Sequence, residues 1–94
     1  METSKYLEAL DYVMSKRYPP QMYHIGGYQE AAICLQSDSN GWIIYNGERG
    51  NRYNELRCDT VLMACLEFIR KVTHRVEDIS AMENELLEYL RKAA

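Results

Sequence analysis

The chain has 94 residues, 47% of them apolar, and a formal net charge of −3, which suits one small core with a modest stability margin. No stretch approaches the ~20 consecutive apolar residues that a membrane-spanning helix needs. The acidic balance argues against a nucleic-acid partner, because phosphate neutralisation requires a basic stripe. The start, Met1-Glu2-Thr3-Ser4-Lys5, lacks the basic-then-apolar order of a signal peptide. The expectation is a single cytoplasmic domain over residues 1–94.

The first element is a helix from about Ser4 to Arg17. Tyr6, Leu10, Val13, Met14 and Arg17 recur at helical spacing, and Leu7 widens the stripe. Thr3 or Ser4 is placed to cap it, and Pro19-Pro20 closes it by removing donors and disfavouring the helical state upstream.

Strands follow. Met22 to Ile25 is a short apolar run, and Gly26-Gly27 after it has the composition of a hairpin step. Tyr28 to Gln36 alternates, with Ala31, Ile33 and Leu35 on one face and Ala32 and Cys34 on the other. Ser37 to Gly41 reads as a polar turn, and Trp42 to Tyr45 or beyond completes a second hairpin. Asn51 to Asn54 is loop-like, and Tyr53 to Cys58 offers a further short strand.

Asp59 is an N-cap candidate for a helix to about His74, with Val61, Leu62, Cys65, Phe68, Ile69 and Val72 along one face. Ser80-Ala81-Met82-Glu83 matches the capping box, in which serine and glutamate each satisfy a backbone donor. The last helix then turns Met82, Leu86, Leu87 and Leu90 inward. A sheet this small must bury one face, and helices are the available cover. The predicted fold is α+β, in the order α-β-β-β-(β)-α-α, with a small antiparallel sheet of three or four strands packed against helices.

Catalytic and metal-binding patterns are sparse. Cys34, Cys58 and Cys65 form an odd set without a CxxC pair, which suits buried thiols better than disulfides or zinc. His24 and His74 lack a second ligand at metal spacing, so neither metal nor cofactor is expected. His74 suits a cation near a helix C-terminus. A small enzyme using Cys34 or His24 stays open as an alternative, because catalytic pairs are defined in space. The order helix–three strands–helix also occurs in double-stranded RNA-binding domains. Those need lysines opening the last helix, whereas Asp59 to Ala64 has one acid and no base.

The central segment is more specific. Trp42-Ile43-Ile44-Tyr45, then Glu48-Arg49-Gly50, then Ala64-Cys65 within a helix, resembles families of bacterial toxin-immunity proteins. These share a W-x-V-Y strand, an E-R-G turn and a helix with a small pair. The likeness spans Trp42 to about Val72. Ile44 departs from the usual valine, and Cys58 stands where an aromatic is expected. The resemblance implies a non-enzymatic protein that binds and neutralises a cognate toxin domain, a cationic nuclease for an acidic inhibitor.

Tyrosine is favoured at interfaces as rigid contact area with a hydrogen-bonding tip, and acids steer a cationic partner. Partner-binding residues are therefore sought among Tyr18, Tyr23, Tyr28, Glu48, Arg49, Tyr53, Glu77, Asp78, Glu85 and Glu88. At the turn, Glu48 and Arg49 are expected first to pair with neighbours and lock the strand end, while Gly50 supplies an unusual backbone angle. The protein is expected to be a monomer or weak homodimer. A regulatory module dimerising through the open sheet face is the other alternative.

Overall fold

A computed structural model describes residues 2–93. It comprises α1 (Thr3–Ser15), β1 (Tyr23–Ile25), β2 (Ala32–Asp38), β3 (Gly41–Glu48), β4 (Asn51–Cys58), α2 (Val61–Val72) and α3 (Val76–Ala93). The fold is α+β, with one four-stranded sheet in the order β1-β2-β3-β4.

Period-two alternation divides the sheet into two faces. Leu35 of β2 lies opposite Ile44 of β3, and both are fully buried with Phe68, Cys65 and Ile69 of α2. Leu10 and Val13 of α1 and Met82 and Leu86 of α3 close the same core. Leu10, Val13, Leu35, Ile44, Cys65, Phe68 and Leu86 are buried as their periodicity predicts, while Ile33, Trp42 and Val61 pack half-buried at its margin. On the outer face Cys34 lies opposite Tyr45, and both are buried with Ala32 and Ile43 in a second, smaller cluster.

The sheet is not antiparallel throughout. β1 pairs with β2 in parallel, with Tyr23, His24 and Ile25 beside Ile33, Cys34 and Leu35. Gly26-Gly27 therefore makes no hairpin. At φ +117° and +154° the two glycines turn the chain out of the sheet, and segment 26–31 crosses the outer face before β2 begins. A tight hairpin would return the chain at the sheet edge and leave Cys34 and Tyr45 facing water. The crossing segment covers them.

Boundaries shift for local reasons. Neither Thr3 nor Ser4 caps α1; Glu2 holds that position without a side-chain bond. Thr60, not Asp59, caps α2, its Oγ1 accepting the Met63 N–H at 3.2 Å. α3 starts a turn before the Ser80–Glu83 box, with Glu77 and Asp78 in its first turn and Arg91 and Lys92 in its last, each complementing the helix dipole. Leu87 is 46% exposed rather than inward, since Met82, Leu86 and Leu90 already fill the buried stripe. Residues 51–54 belong to β4, because the Arg49-Gly50 turn returns the chain directly into the ladder.

β4 is an edge strand, paired only to β3. Ile44 faces Leu56 and Asn46 faces Tyr53, so Tyr45 spans two residues, Asn54 and Glu55. Asn54 takes φ +55° at this bulge, and its carbonyl accepts from Lys71 Nζ at 3.0 Å. Bulges and lysines are common guards against edge-to-edge association. No described helix is long and apolar enough to cross a membrane.

Candidate partner-binding surface

The β3–β4 turn organises one end of the sheet. Arg49 and Gly50 both have positive φ, +54° and +78°, and connect the paired residues Glu48 and Asn51. This is the two-residue turn whose twist matches a hairpin. Its exposed N–H groups point to one carboxylate. Glu30 Oε2 accepts from the Arg49 N–H at 2.7 Å and Oε1 from the Gly50 N–H at 3.2 Å. The Tyr28 hydroxyl accepts from the same Gly50 N–H at 2.8 Å and donates to Glu30 Oε1 at 2.5 Å. The Tyr28 hydrogen bond, then the two backbone donors, hold the Glu30 carboxyl below the ordinary carboxylate range, while Glu30 pushes the Tyr28 phenol up.

This clamp fastens the crossing segment to the sheet. Between its ends, the Gln29 N–H donates to Cys34 Sγ at 3.3 Å, and the thiol donates back to the Gln29 carbonyl at 3.4 Å. The Tyr28 ring stacks on Tyr45 with centroids 6.4 Å apart, and the Arg52 guanidinium lies 5.3 Å from the Tyr45 ring centre. Gly47 makes the approach possible. A Cβ there would overlap the Gln29 carbonyl oxygen and stand 3.0 Å from the Tyr28 ring. The Tyr45 hydroxyl, with its pKa raised first by burial, donates to Gln36 at 2.5 Å.

The structure separates the residues singled out in the sequence. Tyr28, Glu48, Arg49 and Tyr53 are all exposed near the turn end, but Tyr28 lies with Arg52 on the outer face, and Tyr53, opposite Asn46, lies on the other face. Tyr23 is instead a core residue, 6% exposed, with its ring edge-on to Phe68 at 6.3 Å. Tyr18 is half-buried, and its hydroxyl donates to Thr73 at 3.3 Å.

The acids of α3 are each occupied by a neighbouring base. Glu77 and Asp78 face Arg75, Glu88 faces Arg91 and Lys92, and Glu85 bridges to α1. Glu85 accepts from Arg17 at 2.5 and 3.0 Å and from Lys16 at 2.9 Å, and these bonds, Arg17's first, depress its pKa to about 2. Glu48 and Arg49 do not pair with neighbours to lock the strand end. The lock is Glu30 on the backbone of the turn.

All three cysteines are free and buried. Desolvation pushes the Cys65 thiol up to about 12 and raises that of Cys58. His24 and Cys34 are register partners on adjacent strands, yet the thiol's hydrogen bonds go to the backbone of Gln29 and Ala32. Among the described residues no three His, Cys, Asp or Glu side chains gather as a ligand set for a metal.

Glu30 and Gln29 were not legible as site residues. Their partners lie far along the chain, and no spacing rule links a carboxylate to the backbone of a later turn. The one available signal was the turn itself, whose free N–H groups need an acceptor. Comparisons with protein-family models, curated proteins and solved structures found no match.

Proposed function

We propose that this chain is an immunity-type inhibitor that binds a cognate bacterial toxin domain, a nuclease by preference, and occludes its active site or substrate surface. The observation that carries the reading is the turn end of the sheet. There Tyr28, Glu48, Arg49 and Tyr53 are presented to solvent from a backbone that Glu30 holds in place. Such preorganisation lowers the ordering cost of association, and tyrosine and arginine are residue types enriched at tight interfaces. The resemblance carried by Trp42, Tyr45 and Glu48-Arg49-Gly50 points the same way, since this segment builds the turn.

The net charge of −3 supports a cationic toxin. The acids of α3 contribute less to steering than their number suggests, because their own bases neutralise them locally. The enzyme alternative draws little support from a Cys34 with no exposed surface. The dimer alternative, through the open sheet face, has to contend with segment 26–31, whose Gln29 already lies against Cys34 on that face. The test is binding of the purified chain to the toxin domain encoded beside its gene, together with protection of cells that express that toxin. Nanomolar affinity, about −12 kcal/mol, is expected. Neither binding nor protection would end the proposal.

A further inference from the structure

We infer that the turn end of the sheet, on its helix-facing side, docks a basic side chain of the toxin, with its charge at Glu48 and its stem against Met22 and Ile33. The inference rests on the toxin-binding reading above and gives it a location and a chemistry.

The location follows from strand alternation. Ile33 of β2 lies opposite Asn46 of β3, and Asn46 lies opposite Tyr53 of β4. All three belong to the face of Leu35 and Ile44, as does Glu48 two residues beyond Asn46. The middle of that face is core. The turn end stays open: Tyr53 is 46% exposed, and a depression of about 490 Å³ is lined there by Met22, Ile33, Asn46 and Glu48, together with Glu30 and Arg49.

The chemistry follows from the lining. Two carboxylates, Glu30 and Glu48, stand against one base, Arg49, so the depression carries a net negative charge. Glu30 is already engaged by the turn amides and the Tyr28 hydroxyl. Glu48 is not. Among the described residues it has no hydrogen bond or ion pair through its side chain, whereas Asp38, Glu83, Glu85 and Glu88 each hold a lysine or arginine. Lys71, on the same side of the sheet, is tied to the Asn54 carbonyl rather than to Glu48.

The surroundings of Glu48 suit the rest of a basic side chain. Met22 is 43% exposed and Ile33 half-buried, apolar surface along which the methylene stem of lysine or arginine can lie. Cross-strand neighbours hold their Cβ atoms about 5 Å apart, so the Tyr53 ring stands next to Asn46 within reach of the same occupant and can meet a cation with its face. An unpaired carboxylate, an apolar wall and an aromatic ring together complement a base and repel an acid or a phosphate. The cationic toxin favoured by the chain's own charge supplies such a base.

The experiment uses the full chain and, as probe, a catalytically inactivated toxin domain encoded beside its gene. Glu48→Gln should weaken binding by a factor on the order of 30, mainly through faster dissociation. Tyr53→Ala should weaken it about tenfold, and Tyr53→Phe, which keeps the ring face, by less than about threefold. Arg49→Gln removes a base that repels the occupant and should tighten binding about threefold. Glu8→Gln, an exposed acid of α1 paired with Lys5, is the control and should change affinity by less than about twofold. These side chains are exposed, so thermal midpoints should stay within about 3 °C of the native value. Native-like affinity in Glu48→Gln would overturn the site, and weaker binding in Arg49→Gln would overturn the basic occupant. Either result leaves the proposed function standing. Failure of the native chain to bind the toxin would remove the proposed function and this inference with it.

Discussion

The two faces of the sheet are buried by different means. The inner face is covered by three helices, and its core residues touch one another across long sequence separations, from Leu10 and Val13 to Leu86. Among the described residues the outer face has a small buried apolar cluster, Ala32, Cys34, Ile43 and Tyr45, with a short crossing segment and one arginine lying against it. The inner face draws its stability from area, which is distributed and non-directional. The outer face depends on a few polar contacts and one close approach, so damage there should be local. The inner face carries the scaffold, and the polar fastening of the outer face ends at the Arg49-Gly50 turn.

The largest expected effect is on the inner face. Phe68 is fully buried among residues of all three helices and the sheet. Phe68→Ala should cost about 3–5 kcal/mol in urea unfolding, a large share of the roughly 5–15 kcal/mol available to a small domain. A loss below about 1 kcal/mol would mean that the inner face is not one cooperative core.

This face was also the legible one. Leu10, Val13, Cys65, Phe68 and Leu86 recur at helical spacing, and Leu35 and Ile44 at strand spacing, so burial followed from periodicity alone. The outer face was only half legible. Alternation put Ala32 and Cys34 on one side, yet nothing local showed that segment 26–31 crosses over them. Gly26-Gly27 carries a hairpin composition, and only the need to cover Cys34 and Tyr45 decides against it. The Ser80–Glu83 box misled in a similar way, since a local cap signature also fits inside a helix that starts earlier.

The close approach at Gly47 gives the second effect. A methyl group there must displace the Gln29 carbonyl or the Tyr28 ring, and overpacking of this kind typically costs about 1–3 kcal/mol. Gly47→Ala should therefore destabilise less than Phe68→Ala. It should also raise the alkylation rate of Cys34, read by peptide mass, ahead of Cys58 and Cys65. Uniform exposure of all three thiols would show that the outer segment does not open separately from the core.

A smaller effect belongs to the α1–α3 seam. Glu85→Gln removes the charge that Arg17 and Lys16 share, and partly exposed pairs contribute about 0.2–1 kcal/mol. The Glu85 carboxyl is depressed to about 2 when folded, against roughly 4.3 in an unfolded chain. Its contribution is therefore fully present above the unfolded value and is lost as pH falls toward about 2. Stability profiles of native and Glu85→Gln proteins should converge as the pH drops through that window. Profiles that stay parallel would show that the bridge adds nothing.

The smallest effect on global stability, and the sharpest on the comparison, comes from Glu30. Its carboxylate is exposed and touches no core residue, so Glu30→Gln should leave the unfolding midpoint near that of the native chain. What changes is local. The Arg49 and Gly50 amides lose a charged acceptor, and the Tyr28 hydroxyl loses the charged acceptor of its own proton while it still accepts from the Gly50 N–H. In proton–nitrogen spectra those two amide signals should move upfield, while signals from α2 and α3 stay in place. The native protein should show the same movement on acidification. Because its folded pKa is lowered, the clamp is intact above the ordinary carboxylate range and opens as pH falls through the depressed value. A titration centred at or above the ordinary glutamate pKa would mean that the turn does not hold Glu30. The outer segment would then lack the fastening that distinguishes this face from the core.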